Sequence, residues 1–185
     1  MSEMSLGLSQ ASMPETKPEV RRYFFDVSPT KLIVMSLVTL QFYQVFWFYK
    51  NWELARKRGQ DVTPWARAIF SIFYAYPLFR EVRSVGRSAS VTVTSNAGGL
   101  AFLFIVLQAA WRLPAPYSLI GLLTFVPLAV IQVDIASIHT ALGLDPEVNS
   151  NYSWQNVLAI LIGGAFEFLA IAVIWFSGTG RISGR

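Results

Sequence analysis

The residue with the strongest chemical implication in this chain is Glu167, which stands in the middle of the apolar sequence ILIGGAFEFLAIAV. An ionisable group at the centre of a bilayer costs at least about 2.5–3.5 kcal/mol on insertion scales, so it is expected to face protein or water. The small residues Ala159, Gly163 and Ala170 share the helical face of Glu167 and would let a second helix approach closely. We therefore expect Glu167 to point into a helix–helix contact.

Three other polar residues are expected at the depth of Glu167. If successive helices are antiparallel and each residue rises about 1.5 Å, then Gln41, Gln108 and Thr124 fall near the same level. One role for such an intramembrane polar layer is hydrogen bonding between helices, with Glu167 protonated, where measured pairs average about 0.6 kcal/mol. The other role is a relay for protons or cations. Both interpretations stay open at the level of sequence.

The single histidine suggests a different chemistry. His139 follows Asp134 and precedes Asp145 and Glu147, and such a set is able to bind a hard metal ion or to supply a base. The same residue types are also usual in a solvated polar loop without a catalytic role. Leu144 occupies the position at which membrane acyltransferases place their aspartate. The chain has no GxSxG, Walker A, HExxH or EF-hand pattern, so we predict no catalytic residue, no cofactor and no metal site.

The composition indicates the solvent in which these residues act. The chain is 54% hydrophobic and 15% aromatic but only 14% charged, whereas average soluble domains are roughly a quarter charged. A soluble domain of this size would be unable to bury so much apolar surface, so we predict that lipid surrounds much of the chain. The lack of cysteine excludes disulfides, thiolate nucleophiles, Cys-ligated zinc and iron–sulfur clusters.

Long apolar runs predict an all-α integral membrane fold with about four transmembrane helices, since one crossing takes about 20 mostly apolar residues. The predicted spans are residues 32–49, 96–112, 117–135 and 154–176. Pro127 lies inside the third span and should kink it by clashing with the carbonyl of Leu123. We assign residues 1–22 to a disordered tail, 23–177 to a single membrane domain and 178–185 to a short C-terminal tail.

One further helix is expected to lie in the membrane surface, over about residues 64–77. Thr63 and Pro64 form a helix start, with threonine as the N-cap and proline at the first helical position. Apolar residues then recur at helical spacing, at Trp65, Ile69, Ile72, Phe73 and Tyr76. The segment is too short to span a bilayer, so we predict an amphipathic interfacial helix with its apolar side toward lipid. A re-entrant segment is the alternative.

The sequence FYQVFWFYKNWELARKRG changes from aromatic to basic at the end of the first span. Aromatic residues are typical of membrane–water interfaces, and cations beyond them attract anionic headgroups at about 1 kcal/mol each. A nucleic-acid surface also combines aromatic and basic residues, but its aromatics need not adjoin a long apolar run. The residues predicted to contact headgroups are Lys50, Arg56, Lys57, Arg58, Arg67, Arg80, Arg83 and Arg87. Their density favours the cytoplasmic side for this connection.

The elements FYQVFWFYKNW and PWARAIFSIFYAYPLF, followed by an Asn/Ser-rich loop before ILIGG, resemble a group of small multipass bacterial membrane proteins of unknown function. The resemblance covers residues 23–175. It implies a location in the bacterial inner membrane and about four helices, and it supplies no catalytic residues.

These observations predict a non-enzymatic scaffold or accessory subunit that contacts the lipid bilayer, and in particular anionic lipid or a partner protein. Self-association through the face of Ala159 and Gly163 would make it a homo-oligomer. The alternative is an oligomeric transporter or ion-permeation protein that uses the layer around Glu167. A lipid-modifying enzyme that depends on His139 or Asp134 is the third possibility, and no nucleic acid is expected as a partner.

Overall fold

The computed structural model describes residues 22–93, 95–114 and 116–144, together with the helical positions Leu161, Ala165 and Leu169. Within these residues the fold is all-helical, as predicted, and contains no strand. The α-helices are α1 (Pro29–Val38), α2 (Phe42–Lys57), α3 (Pro64–Ile69), α4 (Ser71–Ser88), α5 (Ala97–Ala110) and α6 (Phe125–Ala141), and a 3₁₀ helix (Tyr117–Thr124) leads directly into α6.

One helix in the described part of the chain is long and apolar enough to cross a membrane. It is the 25-residue unit Tyr117–Ala141, which joins the 3₁₀ helix to α6 and contains the third predicted span. Helices α1 and α5 are apolar but measure only 10 and 14 residues. The span over 154–176 lies almost entirely outside the described residues, so the number of four crossings stays a prediction.

The first apolar run forms two helices, whereas the sequence predicts one. Helix α1 ends before Thr39, and the chain bends because Leu40 and Gln41 adopt left-handed backbone conformations, with φ of 48° and 74°. The hydroxyl of Thr39 stabilises the bend from both sides. It donates a hydrogen bond to the carbonyl of Met35 (2.6 Å) and accepts one from the backbone N–H of Tyr43 (2.9 Å). Apolar composition does not reveal such a bend, because neither residue is a glycine.

The segment over residues 64–77 also differs from the prediction of a single short helix. Helix α3 begins at Pro64 as predicted, but Phe70 interrupts it, and α4 then continues past Pro77 as far as Ser88. The helix tolerates Pro77 although a proline supplies no backbone N–H. The consequence is that the arginines after Pro77 lie on the same helix as the aromatic residues before it.

Pro127 does not kink a continuous α-helix. It is the third residue of α6, where the backbone N–H groups of a helix have no intrahelical partner in any case. The change from 3₁₀ to α geometry immediately before it takes the place of the predicted kink.

The core lies between α1, α2, α4, α5 and α6, together with the segment before α1. Its largest fully buried apolar side chains are Trp47, Trp52, Phe24, Phe48, Phe79, Phe104, Leu32, Leu78, Leu128, Ile131 and Ile135. The interpretation of the α2 aromatics as membrane-interface residues is therefore wrong for Trp47, Phe48 and Trp52. Helical spacing places these three on the inner face of α2, whereas Phe42 is 75% exposed.

Candidate functional site

Helix α3 and the first half of α4 carry large apolar side chains outward. Trp65 is 61% exposed and Phe73 is 73% exposed. We call this surface the aromatic face, and its members are Trp65, Ile69, Phe70, Phe73 and Tyr76. A helix on the surface of a soluble protein turns its apolar stripe toward the core. A run of exposed aromatic residues on successive helical turns instead indicates contact with lipid or with another protein.

Opposite the aromatic face, α3 packs against α2, while α4 packs mainly against α5 and α6. The small residues Ala68, Ser71 and Ala75 are buried. The guanidinium carbon of Arg67 lies over the ring of Trp52, at 4.4 Å from its centroid, and over the ring of Tyr74, at 5.0 Å. Contacts of this kind contribute about 0.5–2 kcal/mol each. Arg67, for which the sequence predicts a headgroup contact, thus stacks within the protein.

The lysines of α2 are paired on their own helix. The carboxylate of Glu53 lies 3.0 Å from the ammonium of Lys50 and 3.6 Å from that of Lys57. The hydrogen bond from Lys50 is the main reason why the pKa of Glu53 lies below its usual value. The two positive charges that the sequence assigns to headgroups are partly compensated by this carboxylate.

Arg58 is used to join distant parts of the fold. Its guanidinium group donates hydrogen bonds to the carboxylate of Glu81 on α4 and to the backbone carbonyl of Tyr23. The guanidinium carbon also lies 5.4 Å from the ring centroid of Phe24, and Glu81 accepts a second hydrogen bond from Gln60 at 2.7 Å. Arg58 therefore connects the segment before α1 to α4.

The remaining cations of the predicted set are arginines that form no ion pair with any residue in the described ranges. They are Arg56, Arg80, Arg83 and Arg87. Arg83 is half-buried, and the other three are exposed. Within the set predicted to contact headgroups, these four are the positive charges that the described fold leaves without an ion pair.

Three of these four arginines line one groove of about 370 Å³ between α4 and the start of α5. We call it the arginine groove, and its lining residues are Tyr76, Arg80, Arg83, Ser84, Arg87, Asn96, Ala97 and Gly98. The three arginines share one stripe of α4 because they are spaced by three and four residues. Tyr76 belongs both to this groove and to the aromatic face, so the two features adjoin.

Two members of the predicted intramembrane polar layer meet in the structure. The Thr124 hydroxyl donates a hydrogen bond to Oε1 of Gln41 at 2.6 Å, and Nε2 of Gln41 donates to the carbonyl of Leu122 at 2.7 Å. Gln44, which sequence reasoning missed, donates from its side-chain amide to both Gln41 and Thr124. We call Gln41, Gln44 and Thr124 the amide cluster. It is buried and ties the bend before α2 to the end of the 3₁₀ helix.

The other predicted layer and packing residues are not part of this cluster. Gln108 is half-buried on α5 and makes none of the hydrogen bonds of the amide cluster. Glu167, Ala159, Gly163 and Ala170 lie outside the described residues, so their joint placement stays a prediction.

His139 lies in the core, whereas a solvated loop is the ordinary expectation for this histidine. It is fully buried in α6, with Nδ1 at 3.4 Å from Oδ2 of Asp26, and the same oxygen lies 3.2 Å from the guanidinium group of Arg22. Asp134 has a different partner, because it accepts a hydrogen bond from the hydroxyl of Ser95. The two residues proposed as an enzyme site thus have different neighbours, and neither ring nitrogen of His139 has a hydrogen-bond partner among the described residues. The described ranges contain no group of three His, Asp or Glu residues that could hold a metal ion.

A buried hydrogen-bond network holds the segment before α1 in place and was not predicted. The backbone N–H of Phe25 donates to the side-chain oxygen of Asn51 at 3.1 Å, and Asn51 in turn donates to the carbonyl of Trp47 at 2.9 Å. The indole N–H of Trp47 donates to Gln132 of α6 at 2.8 Å. Their spacing gives the only sequence signal, since Trp47 and Asn51 are four residues apart and therefore share a helical face.

Comparisons with known protein families, with curated proteins and with solved structures find no match to this chain. The geometry alone therefore carries the functional argument. Most of the buried polar side chains described above hydrogen-bond to other protein groups, although Trp52 Nε1 and both ring nitrogens of His139 have no hydrogen-bond partner among the described residues. Among the outward-facing groups, the aromatic face and the arginines without a described ion pair adjoin one another, and together they are suited to binding.

Proposed function

We propose that this chain is a non-enzymatic, multipass protein of the bacterial inner membrane, which contacts anionic lipid through α3 and α4 and acts as a scaffold or accessory subunit. The observation that carries the proposal is the orientation of α3 and the first half of α4. Their aromatic side points outward, while Arg67 stacks on Trp52 of α2 and the small residues of the same helices are buried.

This orientation is unfavourable in water and favourable at a bilayer. Transfer of apolar surface out of water contributes about 25 cal/mol per Å², and each outward ring of the aromatic face would contribute on contact with lipid. Amphipathic helices with aromatic residues on one side and arginines nearby lie in the headgroup region in the same manner. The described helix Tyr117–Ala141, which is long and apolar enough to cross a membrane, is consistent with such a setting.

The unpaired arginines add an electrostatic contribution. Arg80, Arg83 and Arg87 follow the aromatic face on α4 and have no described carboxylate partner. A basic residue close to an anionic membrane surface is worth about 1 kcal/mol. The aromatic face and these arginines would therefore favour the same surface.

A fluorescent label that responds to solvent polarity tests the orientation. Because the chain has no cysteine, Phe73→Cys gives a single labelling site on the aromatic face, and Asp61→Cys gives a matched exposed site in the loop before α3. In vesicles that contain phosphatidylglycerol, we expect the emission of the label at 73 to shift to the blue and to be quenched by brominated lipid. The label at 61 should stay in a polar environment. Equal quenching at both positions, or at neither, would contradict the proposal.

The scaffold role predicts association with a second copy or a partner protein. Its predicted contact is the small-residue face at Ala159, Gly163 and Ala170, where a larger side chain would keep a second helix at a distance. Co-purification in mild detergent should yield an oligomer or a partner that Gly163→Leu removes, while Leu161→Ala on the same segment leaves it in place. A wild-type chain that runs as a monomer without a partner would refute this part of the proposal.

Transport through an oligomer is the second candidate function, and the amide cluster is the observation that favours it. Gln41, Gln44 and Thr124 place polar groups inside apolar helices, and Oε1 of Gln44 has no hydrogen-bond partner among the described residues. A polar path of this kind would also need the ionisable Glu167. Ion or proton flux into liposomes that is lost in Glu167→Gln would support transport, and flux that the substitution leaves unchanged would exclude the relay.

A further inference from the structure

We propose that the arginine groove is a binding site for one phosphate group, carried by the headgroup of an anionic phospholipid. The inference rests on the proposed membrane function and narrows it from a general attraction to one ligand at one place. The ligand would be held by Arg80, Arg83 and Arg87, and its acyl chains would lie along the aromatic face.

The shape of the groove suits such a ligand. Its volume of about 370 Å³ lies within the range of about 300–1,000 Å³ that is usual for small-molecule sites. Arg80 and Arg87 are separated by seven positions of α4, which is about 10 Å along the helix axis. A guanidinium group is planar and presents a fork of donors that matches two phosphate oxygens at once. Neighbouring arginines on one stripe are therefore able to bind one phosphate group from different sides.

The charge in the groove is not balanced by the described protein groups. No aspartate or glutamate is among the described residues that line it. Glu81 is on the same helix, but its carboxylate is bound by Arg58 and Gln60. Like charges on successive turns of a helix repel one another, and an anion would remove this repulsion. The lysines of α2 differ from the arginines of the groove in this respect, because they share the carboxylate of Glu53.

The donors in the proposed site are the arginines rather than the backbone at the start of α5. The side-chain oxygen of Asn96 already accepts hydrogen bonds from the backbone N–H groups of Gly98, at 3.1 Å, and Gly99, at 3.3 Å. Substitutions of the arginines should therefore remove most of the binding.

The position of Tyr76 favours a lipid over a free phosphate ion as the source of the phosphate group. Tyr76 lines the groove one helical turn before Arg80, and it also belongs to the aromatic face, on which Phe73 is 73% exposed. A soluble anion would need only the polar half of this arrangement. A phospholipid would use the groove for its headgroup and the aromatic face for its chains.

The test uses the full-length chain in a neutral detergent, with bound lipid counted by native mass spectrometry. The probes are phosphatidylglycerol, phosphatidylcholine and inorganic phosphate at equal concentrations. We expect one phosphatidylglycerol per chain to be retained preferentially. The informative variant is Arg83→Lys, which keeps the charge but loses the fork of donors. It should weaken retention about tenfold, the loss of one to two charge-assisted hydrogen bonds.

The matched control is Arg56→Lys, which makes the same change at an unpaired, exposed arginine outside the groove. The Arg56→Lys protein should retain as much phosphatidylglycerol as the wild type. Equal retention by Arg83→Lys and the wild type would overturn the site, as would binding of several equivalent lipids with no preferred one. Equal binding of inorganic phosphate and phosphatidylglycerol would overturn the lipid assignment.

The same proteins, reconstituted in bilayers, separate the failure of this site from the failure of the proposed function. If the wild type and Arg83→Lys prefer phosphatidylglycerol over phosphatidylcholine to the same degree, the membrane-surface function stands and the groove is overturned. If the wild type has no such preference, the proposed contact with anionic lipid itself fails.

Discussion

The basic residues at the end of α2 and those in the second half of α4 have similar spacing but different surroundings. On α2, Lys50 and Lys57 share the carboxylate of Glu53, and Arg58 is bound to Glu81. On α4, Arg80 and Arg87 line a groove whose described lining contains no acidic residue. A count of lysines and arginines treats both groups as equal candidates for headgroup contact. In the structure the basic residues at the end of α2, apart from Arg56, form ion pairs within the fold, whereas those of α4 have no ion pair among the described residues.

The aromatic residues of the two regions differ in the same way. Trp47 and Trp52 of α2 are fully buried, whereas Trp65 and Phe73 of α3 and α4 are exposed. The exposed aromatic side chains of α3 and α4 are the ones that we propose to contact lipid, even though α2 has the more conspicuous aromatic sequence. The comparison predicts that substitutions in α2 change mainly the free energy of unfolding, and that substitutions in α4 change mainly lipid binding.

The largest effect is expected from Trp52→Ala. The side chain is 1% exposed and supports Arg67, and truncation of a buried aromatic residue costs about 3–5 kcal/mol. The matched change Trp65→Ala, at an exposed ring, should alter unfolding in detergent by less than about 0.5 kcal/mol and weaken vesicle contact instead. The free energy of unfolding of both variants in detergent checks this. Similar losses in the two variants would contradict the difference between the regions.

A smaller effect is expected from Gly86→Ala, which tests whether the position of Arg87 matters. A Cβ atom at residue 86 would lie 2.2 Å from Cγ2 of Val93 and 3.3 Å from Cδ1 of Ile138. Overpacking of this kind costs about 1–3 kcal/mol and should displace the turn of α4 that carries Arg87. We expect lower thermal stability together with reduced retention of phosphatidylglycerol. The nearby exposed control Ser88→Ala should change neither, and unaltered lipid retention in Gly86→Ala would show that the groove does not depend on this turn.

Arg58→Gln removes one positive charge at the end of α2, and Arg87→Gln removes one positive charge from α4. Loss of the Arg58 guanidinium leaves the half-buried Glu81 without its ion pair, at a cost of about 1–2 kcal/mol after solvent screening. Arg87→Gln breaks no described ion pair and should change unfolding by less than about 0.5 kcal/mol, while it lowers the preference for anionic lipid. Chemical denaturation and lipid-binding measurements on both variants provide the check. An equal effect of the two on stability would mean that Arg87 also has a partner in the fold.

The smallest predicted effect is the pH dependence from Glu53. Its folded-state pKa lies below the ordinary value of 4.5, chiefly because Lys50 donates a hydrogen bond to the carboxylate. The folded state therefore holds the ionised form more strongly than the unfolded state does. This contribution is complete above the ordinary pKa and disappears as the pH falls through the lower folded pKa. Melting temperatures measured between pH 7 and pH 3 should fall less steeply in Lys50→Gln, and identical profiles would remove Lys50 as the cause.

Some features of the fold follow directly from the sequence. The start of α3 at Pro64 and four of the five apolar residues predicted to face outward, at positions 65, 69, 73 and 76, follow from local patterns, whereas Ile72 is half-buried. Helix geometry also places Gln41 near Thr124, with which it forms a hydrogen bond, while the membrane depth of the two residues stays a prediction. Each depends on spacing along one helix or on equal depth in neighbouring helices. The pairing of Lys50 and Lys57 with Glu53 is likewise implied by spacings of three and four residues.

Other features depend on contacts that spacing does not encode. The bend at Leu40 and Gln41 requires left-handed residues that no glycine marks. The burial of Trp47 and Trp52 was missed because aromatic residues are equally suited to a protein core and to a membrane interface. The contact of His139 with Asp26 and that of Arg58 with Glu81 join residues far apart in the chain, and a single sequence gives no signal for either.

The most direct test of the central claim removes two charges from each region and measures lipid selectivity in reconstituted bilayers. One double variant carries Arg80→Gln and Arg87→Gln, and the other carries Lys50→Gln and Lys57→Gln. For each protein we measure the ratio of the association constants of spin-labelled phosphatidylglycerol and phosphatidylcholine. We predict that the α4 pair brings this ratio close to one, while the α2 pair retains most of the wild-type preference. An equal fall in both proteins would contradict the account, because it would mean that overall charge, and not the exposed arginines of α4, determines the contact with lipid.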